Sequence, residues 1–264
     1  LNGSDLNGSP RCEPSRWVVD FKELAEREAR SYPACWEIVE REVMPDRRKK
    51  NRDRYRRMVD EWWKFWNPRK GLQLAIESLE SVIVVTRTSK ICQVAMVDNG
   101  AVFSDSLVVF ASTDFGLFGQ LSASLHWFWV DLNSSKLGTG FRYTPTDSFQ
   151  TFPFCEPTEE LVELGESLHR RRSEVMENRE IGLTSLYGML GDPLTNDDDI
   201  RELRRIHQVL DEAVCRCYGW GDLELGHEFR ETNAGQRFTI SPEAQAEVLD
   251  RLLELNHQRY AEEV

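Results

Sequence analysis

Residues 82–100 read VIVVTRTSKICQVAMVDNG, and this stretch decides the fold class. Two runs rich in β-branched residues, 82–87 and 92–97, are separated by a short polar segment, as is typical of neighbouring strands. A third such run covers 107–111, and Asp-Asn-Gly at 98–100 before it is a strong turn signal. The sequence therefore predicts a small β-sheet in the middle of the chain.

On both sides of these strands, apolar residues recur at helical spacing. Before them the pattern predicts a helix from 17 to 44, a strand in the tryptophan-rich stretch 61–66, and a short helix from 72 to 79. After them, Asp114 is predicted to cap a helix that runs to about residue 130. Beyond residue 157 the sequence predicts helices throughout, over 158–176, 184–190, 197–218 and 241–260.

The predicted fold class is α+β, in three parts. Residues 1–57 form a helical lead-in with a basic arm, 58–155 a small domain with a mixed β-sheet and packed helices, and 156–264 a C-terminal helical domain. The chain begins at Leu1 without an initiator methionine, so we interpret it as part of a longer protein. With neither a signal peptide nor an apolar run of membrane-spanning length in view, we expect a cytoplasmic protein without a membrane partner.

The formal net charge of −12 argues against a nucleic-acid partner, but the charges are unevenly distributed. Residues 41–70 carry 12 basic and 5 acidic side chains, whereas 156–264 carry 12 basic and 25 acidic ones. Because the local field decides polyanion binding more than the total charge does, the basic stretch favours DNA contact. A solvated helix face is the other interpretation. The cations predicted to contact a DNA backbone are Arg47, Arg48, Lys49, Lys50, Arg52, Arg87, Lys90 and Arg142.

Catalytic motifs are scarce. No His-Glu-x-x-His, Gly-rich phosphate loop or Gly-x-Ser-x-Gly motif occurs, and the six cysteines show no zinc-ligand spacing. We therefore expect the cysteines to be small buried side chains in a reducing compartment. His207 and Asp211 lie four residues apart on a predicted helix and are interpreted as a structural pair, with an independent hydrolase as the alternative. The acidic run 197–199 suits a helix start better than a metal.

Five segments resemble a known family, and they occur in the same order as in that family. RYTPTDSFQTFPF at 142–154 is similar to the segment that closes the target-recognition domain of MmeI-like type IIG/IIL restriction–modification enzymes. The other matching segments are LNGSDLN and SRWVVDF near the start, VTRTSK at 85–90, FGQLSASLHWFW at 118–129, and the tail block that begins LTSLYGMLGDP at 183. The tail block resembles the C-terminal helical domain of these enzymes.

The resemblance implies a module that recognises double-stranded DNA for an adenine-N6 methyltransferase domain of the same polypeptide. The family's Asn-Pro-Pro-Tyr signature, its Gly-rich S-adenosylmethionine loop and its nuclease motif do not occur in this sequence. We therefore expect no catalytic residue, metal or cofactor in this part, and S-adenosylmethionine in the methyltransferase domain. A scaffold or specificity subunit that binds a partner protein through the basic stretch is the alternative function.

The resemblance also implies that bases are read just before Arg142, in the window 133–141. Our candidates there are Lys136, Thr139 and Ser135, because lysine can donate to guanine and hydroxyls can serve several bases. The segment 141–154 itself is interpreted as scaffold: Thr144, Thr146 and Thr151 would suit a strand, while Phe149, Phe152 and Phe154 would pack it onto the domain. Stacking of Tyr143 or Phe149 on DNA is the alternative.

Overall fold

The computed structural model describes residues 1–138 and 140–263, without the side chains of residues 137 and 263. Two compact units are present. The smaller unit is Arg16–Glu77, and the main unit combines Leu1–Ser15 with the chain from Ser78 onward. These limits differ from the domain boundaries predicted after residues 57 and 155, which stay predictions. No helix in the described ranges has both the length and the apolar character to cross a bilayer.

Helices and short strands alternate along the chain. The helices are α1 (Gly3–Gly8), α2 (Glu26–Ala29), α3 (Pro33–Glu42), α4 (Met44–Arg48), α5 (Arg56–Asp60), α6 (Lys70–Ile76), α7 (Phe115–Ser122), α8 (Ser124–Asn133), α9 (Glu159–Arg179), α10 (Leu183–Gly191), α11 (Asp198–Cys217) and α12 (Pro242–Glu263). The strands are β1 (Ser81–Thr86), β2 (Thr88–Ser89), β3 (Val94–Asp98), β4 (Leu107–Phe110), β5 (Ser135–Leu137), β6 (Gly140–Arg142), β7 (Glu228–Thr232) and β8 (Gly235–Thr239). The α+β class is confirmed.

The first sheet has β1 at its centre, between β3 and β4. Val84 lies opposite Ala95 on one side and Val109 on the other, and both pairings are antiparallel. Because Val82 to Val85 have no exposed surface, this strand is covered on both faces, which explains its unbroken apolar sequence. The predicted turn at 98–100 is present, but the strands on its two sides do not pair with each other.

The sheets differ in three respects from what the sequence predicts. A mixed sheet was expected, whereas the sheets described are separate and antiparallel. Beyond residue 157 the prediction of helices throughout is wrong, because β7 and β8 form a hairpin there. Phe229 and Phe238 lie opposite each other with ring centroids 5.3 Å apart, and Gly235 takes the positive φ of +87° that the turn requires.

Helices of the main unit agree well with the predicted ones. Asp114 caps α7 as predicted, by accepting from the backbone N–H groups of Gly116 and Leu117. The predicted helix is broken at Ala123, where the backbone is extended, into α7 and α8. The predicted tail helices correspond to α9, α10, α11 and α12, and α9 is fastened to the first sheet by Arg172, which donates to the Val94 carbonyl at 2.8 Å.

The Arg16–Glu77 unit is built on aromatic packing. Trp36 of α3 lies 4.9 Å from Trp62 and 6.1 Å from Phe21, measured between ring centroids. The predicted helix over 17–44 is interrupted, since α3 begins at Pro33, where proline suits a first turn but prevents continuation from the preceding segment. The predicted strand over 61–66 is wrong: this stretch turns, which brings its tryptophans onto the α3 core.

Candidate nucleic-acid interface

The window predicted to read bases forms a short hairpin, β5–β6. On its other side β6 pairs with β2, so the three strands make one small antiparallel sheet in the order β2-β6-β5. We call it the hairpin sheet. Gly138 in the turn has a φ of +60°, a conformation that favours glycine. Thr139, one of the predicted readers, lies outside the described residues.

The register of the hairpin sheet aligns three polar side chains in one row. Two of them, Arg142 and Ser135, were predicted to contact DNA, and the third is Thr88. Arg142 lies opposite Thr88 on one side and opposite Ser135 on the other. Directly opposed residues project from the same face of a sheet, and all three are exposed. Arg142 forms no ion pair with any described residue. The row Thr88–Arg142–Ser135 therefore presents a cation between two hydroxyls, and we call it the exposed row.

Lys136 belongs to the other face. Its cross-strand neighbour is Phe141, which is fully buried, and its ammonium forms an ion pair with the Asp131 carboxylate and a hydrogen bond to the Asp131 carbonyl. Lys136 is half exposed at the edge of the sheet but does not lie in the exposed row. The sequence alone does not reveal this, because the face on which a side chain lies is fixed only once the register is known.

Two further predicted cations lie next to the hairpin sheet. Arg87 follows β1, and its Nε donates to the Asp105 carbonyl at 2.9 Å, which holds the guanidinium in place. Its own carbonyl accepts from the Tyr143 N–H at 2.7 Å. Lys90 directly follows β2, is exposed, and has no ion-pair partner in the described ranges. Lys90 is thus the more available of the two for a ligand.

The segment that follows β6, residues 143–154, packs into the main unit and supports the hairpin sheet. The predicted strand at 144–151 is wrong, because Pro145–Phe149 forms one turn of π-helix. Tyr143 has no exposed surface and its hydroxyl lies 3.1 Å from His126 Nε2. Phe149 packs against Phe110 and Phe154, with centroids 4.9 Å apart in both pairs. These contacts support the scaffold interpretation and leave Tyr143 unable to stack on a ligand.

The basic stretch of the smaller unit is partly neutralised by acids of the same unit. Arg52 forms an ion pair with Asp60 at 2.7 Å, and Lys50 lies 3.6 Å from Asp46. Arg57 binds Glu23, which is 34 residues away in sequence, at 2.8 Å. Distances of this kind cannot be read from composition. The local excess of positive charge therefore overstates how many cations are free for a polyanion.

Three cations of this stretch remain available. Arg48, Lys49 and Arg54 are exposed and have no ion-pair partner in the described part of the unit, and the Arg54 guanidinium lies 5.2 Å from the centroid of Tyr55. Arg47 is half-buried; its Nη1 has no hydrogen-bond partner among the described residues, and burial lowers the pKa of Arg47. Arg48 and Lys49 are thus the best-placed of the cations predicted from this stretch.

The sequence of this chain matches a known protein family. The sequence model of the family described as "MmeI, target recognition domain" matches residues 12–156, which is more than half of the chain. The chain belongs to this family. The match contains the basic stretch, the hairpin sheet and its supporting segment, and it confirms the resemblance inferred from the ordered motifs.

One solved structure of an MmeI enzyme has a fold similar to that of this chain. The type IIL restriction–modification enzyme MmeI, in complex with DNA, is similar with a TM-score of 0.66 and 19% sequence identity. The likeness covers 99% of the present chain and 30% of the MmeI chain, so the chain spans about a third of that enzyme. Because it extends over the helices beyond residue 156, the tail also follows the fold of MmeI. No curated protein matches the sequence.

His207 and Asp211, the residues of the alternative hydrolase, line one cavity of the main unit but serve different partners. Asp211 accepts from the Ser124 N–H and the Ser124 hydroxyl, both at 2.7 Å, and lies 2.9 Å from His227 Nε2. His207 Nε2 lies 3.3 Å from the Tyr187 hydroxyl. The Asp211 carboxylate is occupied in joining α11 to the start of α8, which favours the structural interpretation.

Two histidines, the fully buried His126 and the partly buried His207, predict a dependence of stability on pH. Burial lowers the pKa of His207 to about 4 and that of His126 to about 3, whereas an unfolded histidine titrates near 6.5. At pH values between the folded and the unfolded pKa, the unfolded chain binds more protons than the folded protein. The free energy of unfolding should therefore have its full value above pH ~6.5. It should fall as the pH approaches 4, by about 3 kcal/mol for each histidine. Urea denaturation between pH 7.5 and 4 measures the change.

Replacement of one histidine isolates its contribution. In His207→Gln the loss of stability between pH 6.5 and 4 should be smaller by about 3 kcal/mol, since glutamine does not titrate. His257, which is exposed on α12, provides the matched control, and His257→Gln should keep the full pH dependence. Equal pH profiles for His207→Gln and the unmodified chain would contradict the assignment.

Proposed function

We propose that this chain is the DNA-recognition module of a type IIG-like restriction–modification enzyme that methylates adenine at N6. Its membership of the MmeI target-recognition family supports this function, and the likeness to a fold that has been solved with DNA is consistent with it. The observation that carries the proposal is the exposed row, in which an arginine without an ion-pair partner among the described residues lies between two hydroxyl side chains on a small sheet.

The exposed row suits contact with a duplex. Arg142 can bind a phosphate with two parallel hydrogen bonds, and Thr88 and Ser135 can donate to or accept from neighbouring phosphates or base edges. Lys90, at the end of β2, would extend this contact along the backbone. Lys136 would take part only after release from Asp131, so we assign it a secondary role.

The basic stretch of the smaller unit would add sequence-independent affinity. Arg48, Lys49 and Arg54 need no partner exchange, whereas Lys50 and Arg52 must give up Asp46 and Asp60 to bind phosphate. Each phosphate neutralised releases counterions, so duplex affinity should fall as salt rises. The phosphate contacts would hold the duplex in register while the residues of the hairpin sheet select the site.

The chemistry would belong to a methyltransferase domain of the same polypeptide. That domain would bind S-adenosylmethionine and take the target adenine out of the stack, while this chain determines which adenine is presented. Trp17, whose side chain is 102% exposed, and its exposed neighbour Val18 provide apolar surface in the smaller unit for contact with such a domain.

The substitution Arg142→Gln tests the exposed row. It should weaken binding of a cognate duplex by about 10-fold or more, because a charge-assisted contact worth about 1.5–3 kcal/mol is lost. The slope of log affinity against log salt should become less steep by about 1, as expected for one phosphate contact. Fluorescence anisotropy with a labelled duplex at several salt concentrations measures both quantities. A site selected from a random duplex library, or identified by methylome sequencing of cells expressing the parent protein, supplies the cognate sequence.

Arg205→Gln is the matched control. Arg205 is exposed on α11 and the substitution removes the same charge, so long-range electrostatics change equally while the hairpin sheet is untouched. Equal losses for the two variants would show that only total charge matters. Affinity that does not depend on salt would contradict phosphate contact altogether, and would favour the scaffold function that the sequence left open.

A further inference from the structure

A cavity of about 70 Å³ lies in the main unit and is partly open to solvent. It is lined by residues of α8, α10, α11, β8 and the segment 91–93. The volume is about five times what one water molecule needs, so the cavity can hold a small organic molecule. None of the proposed DNA-contacting residues lines it.

The walls carry polar atoms that have no partner inside the protein. In the described part of the chain, nine buried side-chain nitrogen or oxygen atoms lack a hydrogen-bond partner, and four of them belong to residues that line this cavity. They are Gln93 Nε2, Trp127 Nε1, Arg237 Nε and Thr239 Oγ1. Gln93 and Thr239 are each only 4% exposed. Since buried polar groups are almost always hydrogen-bonded, this concentration points to a ligand.

The type of unpartnered atom defines the ligand's polar part. Three of the four are N–H groups, which can only donate, and the fourth is a hydroxyl, which can do either. A ligand that satisfies them must therefore supply acceptors. Two arginines, Arg204 and Arg237, also line the cavity, against the single acidic residue Asp211, whose oxygens already accept from Ser124. The Arg204 guanidinium donates to backbone carbonyls but keeps its positive charge. The balance of charge favours an anion.

The remaining walls define the apolar part of the ligand. Ile91, Leu190 and Phe238 line the cavity together with the indole of Trp127. Aromatic and branched side chains of this kind pack well against a flat ring. A bare inorganic anion would leave these walls uncovered.

We propose that this cavity binds a small organic anion in which a carboxylate is joined to a flat apolar body. The carboxylate accepts from the donors of Gln93, Trp127 and Arg237, and the body packs between Leu190 and Phe238. Such a site is independent of DNA recognition, since it shares no residue with the exposed row or the basic stretch.

Benzoate is the probe that tests the proposal on the intact chain, by isothermal titration and thermal denaturation. We expect saturable binding and a rise in the melting temperature. Inorganic phosphate lacks the apolar body, and benzamidine replaces the acceptors by donors on the same ring. Both should bind at least 10-fold more weakly. Equal binding of either compound, or no binding of benzoate, would overturn the proposal.

Isosteric variants separate binding from folding. Thr239→Val and Gln93→Leu remove unpartnered polar atoms without breaking a hydrogen bond within the described protein, so the melting temperature without benzoate should stay equal or rise. Benzoate affinity should fall at least 10-fold in both. Thr184→Val, at an exposed position of α10, is the matched control and should bind benzoate normally. Unchanged benzoate affinity in both cavity variants would show that binding occurs elsewhere and reject the site.

Discussion

Replacing Asp211 by alanine is expected to lower the free energy of unfolding by about 3–5 kcal/mol, because two hydrogen bonds to a charged group, each worth about 1.5–3 kcal/mol, are lost. The carboxylate accepts two hydrogen bonds from Ser124 and lies 2.9 Å from His227, and its residue is only 1% exposed. Without it, the partly buried Ser124 N–H and hydroxyl lose their acceptor. Urea denaturation at pH 7 measures the loss.

Asp222→Ala is the control for this prediction. Asp222 binds Arg251 at 2.8 Å, but its side chain is largely exposed and the pair is screened by solvent, so the same change should cost far less stability than Asp211→Ala. Asp211→Asn keeps the shape and one acceptor oxygen and should fall between the two. If Asp211→Ala were as stable as the unmodified chain, the carboxylate would not be structural, and the alternative in which it has a chemical role would gain support.

Local patterns were sufficient for most of the fold. The sequence predicts β1, β3 and β4 because their valine-rich runs are bounded by polar residues and a turn. It predicts the four tail helices because apolar residues recur there at helical spacing. The α+β class and the membership of the MmeI target-recognition family are confirmed on that basis.

Elements that depend on distant contacts were missed. The tryptophans at 62 and 63 have strand propensity, but the segment turns because Trp36 offers an aromatic surface 26 and 27 positions earlier. In the hairpin β7–β8, apolar and polar residues alternate only weakly. The segments on both sides have a clear helical pattern, so the sequence gives little sign of the two strands. In both cases tertiary packing overrides the local preference.

The site residues stay predictions, and the sequence indicates only part of their geometry. The window before Arg142 does form a hairpin, yet a shift of β5 by one residue against β6 would have placed Lys136 opposite Arg142, so that Lys136 and not Ser135 would lie in the exposed row. Thr88 was not selected, because nothing in TRTSK reveals that it pairs with residue 142. For the basic stretch, the partners at Glu23 and Asp60 decide which cations are free, and only the fold brings them there.

The close approach of α7 and α9 supports the second large prediction. A Cβ atom at Gly165 would lie 2.1 Å from the Phe115 carbonyl oxygen and 3.3 Å from the Gly119 nitrogen. Gly165→Ala should therefore destabilise the protein by about 1–3 kcal/mol, because the helices must separate along a contact that buries Leu161 and Leu168. This cost outweighs the gain of about 0.5–1 kcal/mol that alanine normally brings to a helix interior.

Gly188 provides a comparison of opposite sign. It lies within α10, it is exposed, and a Cβ atom there would meet nothing within 4 Å. Gly188→Ala should raise the free energy of unfolding by about 0.5–1 kcal/mol through helix propensity alone. Thermal and urea denaturation of the two variants therefore distinguish packing from propensity. If both alanines stabilised the protein, α7 and α9 would not be in backbone contact at Gly165, and the position of α9 against the first sheet through Arg172 would have to be revised.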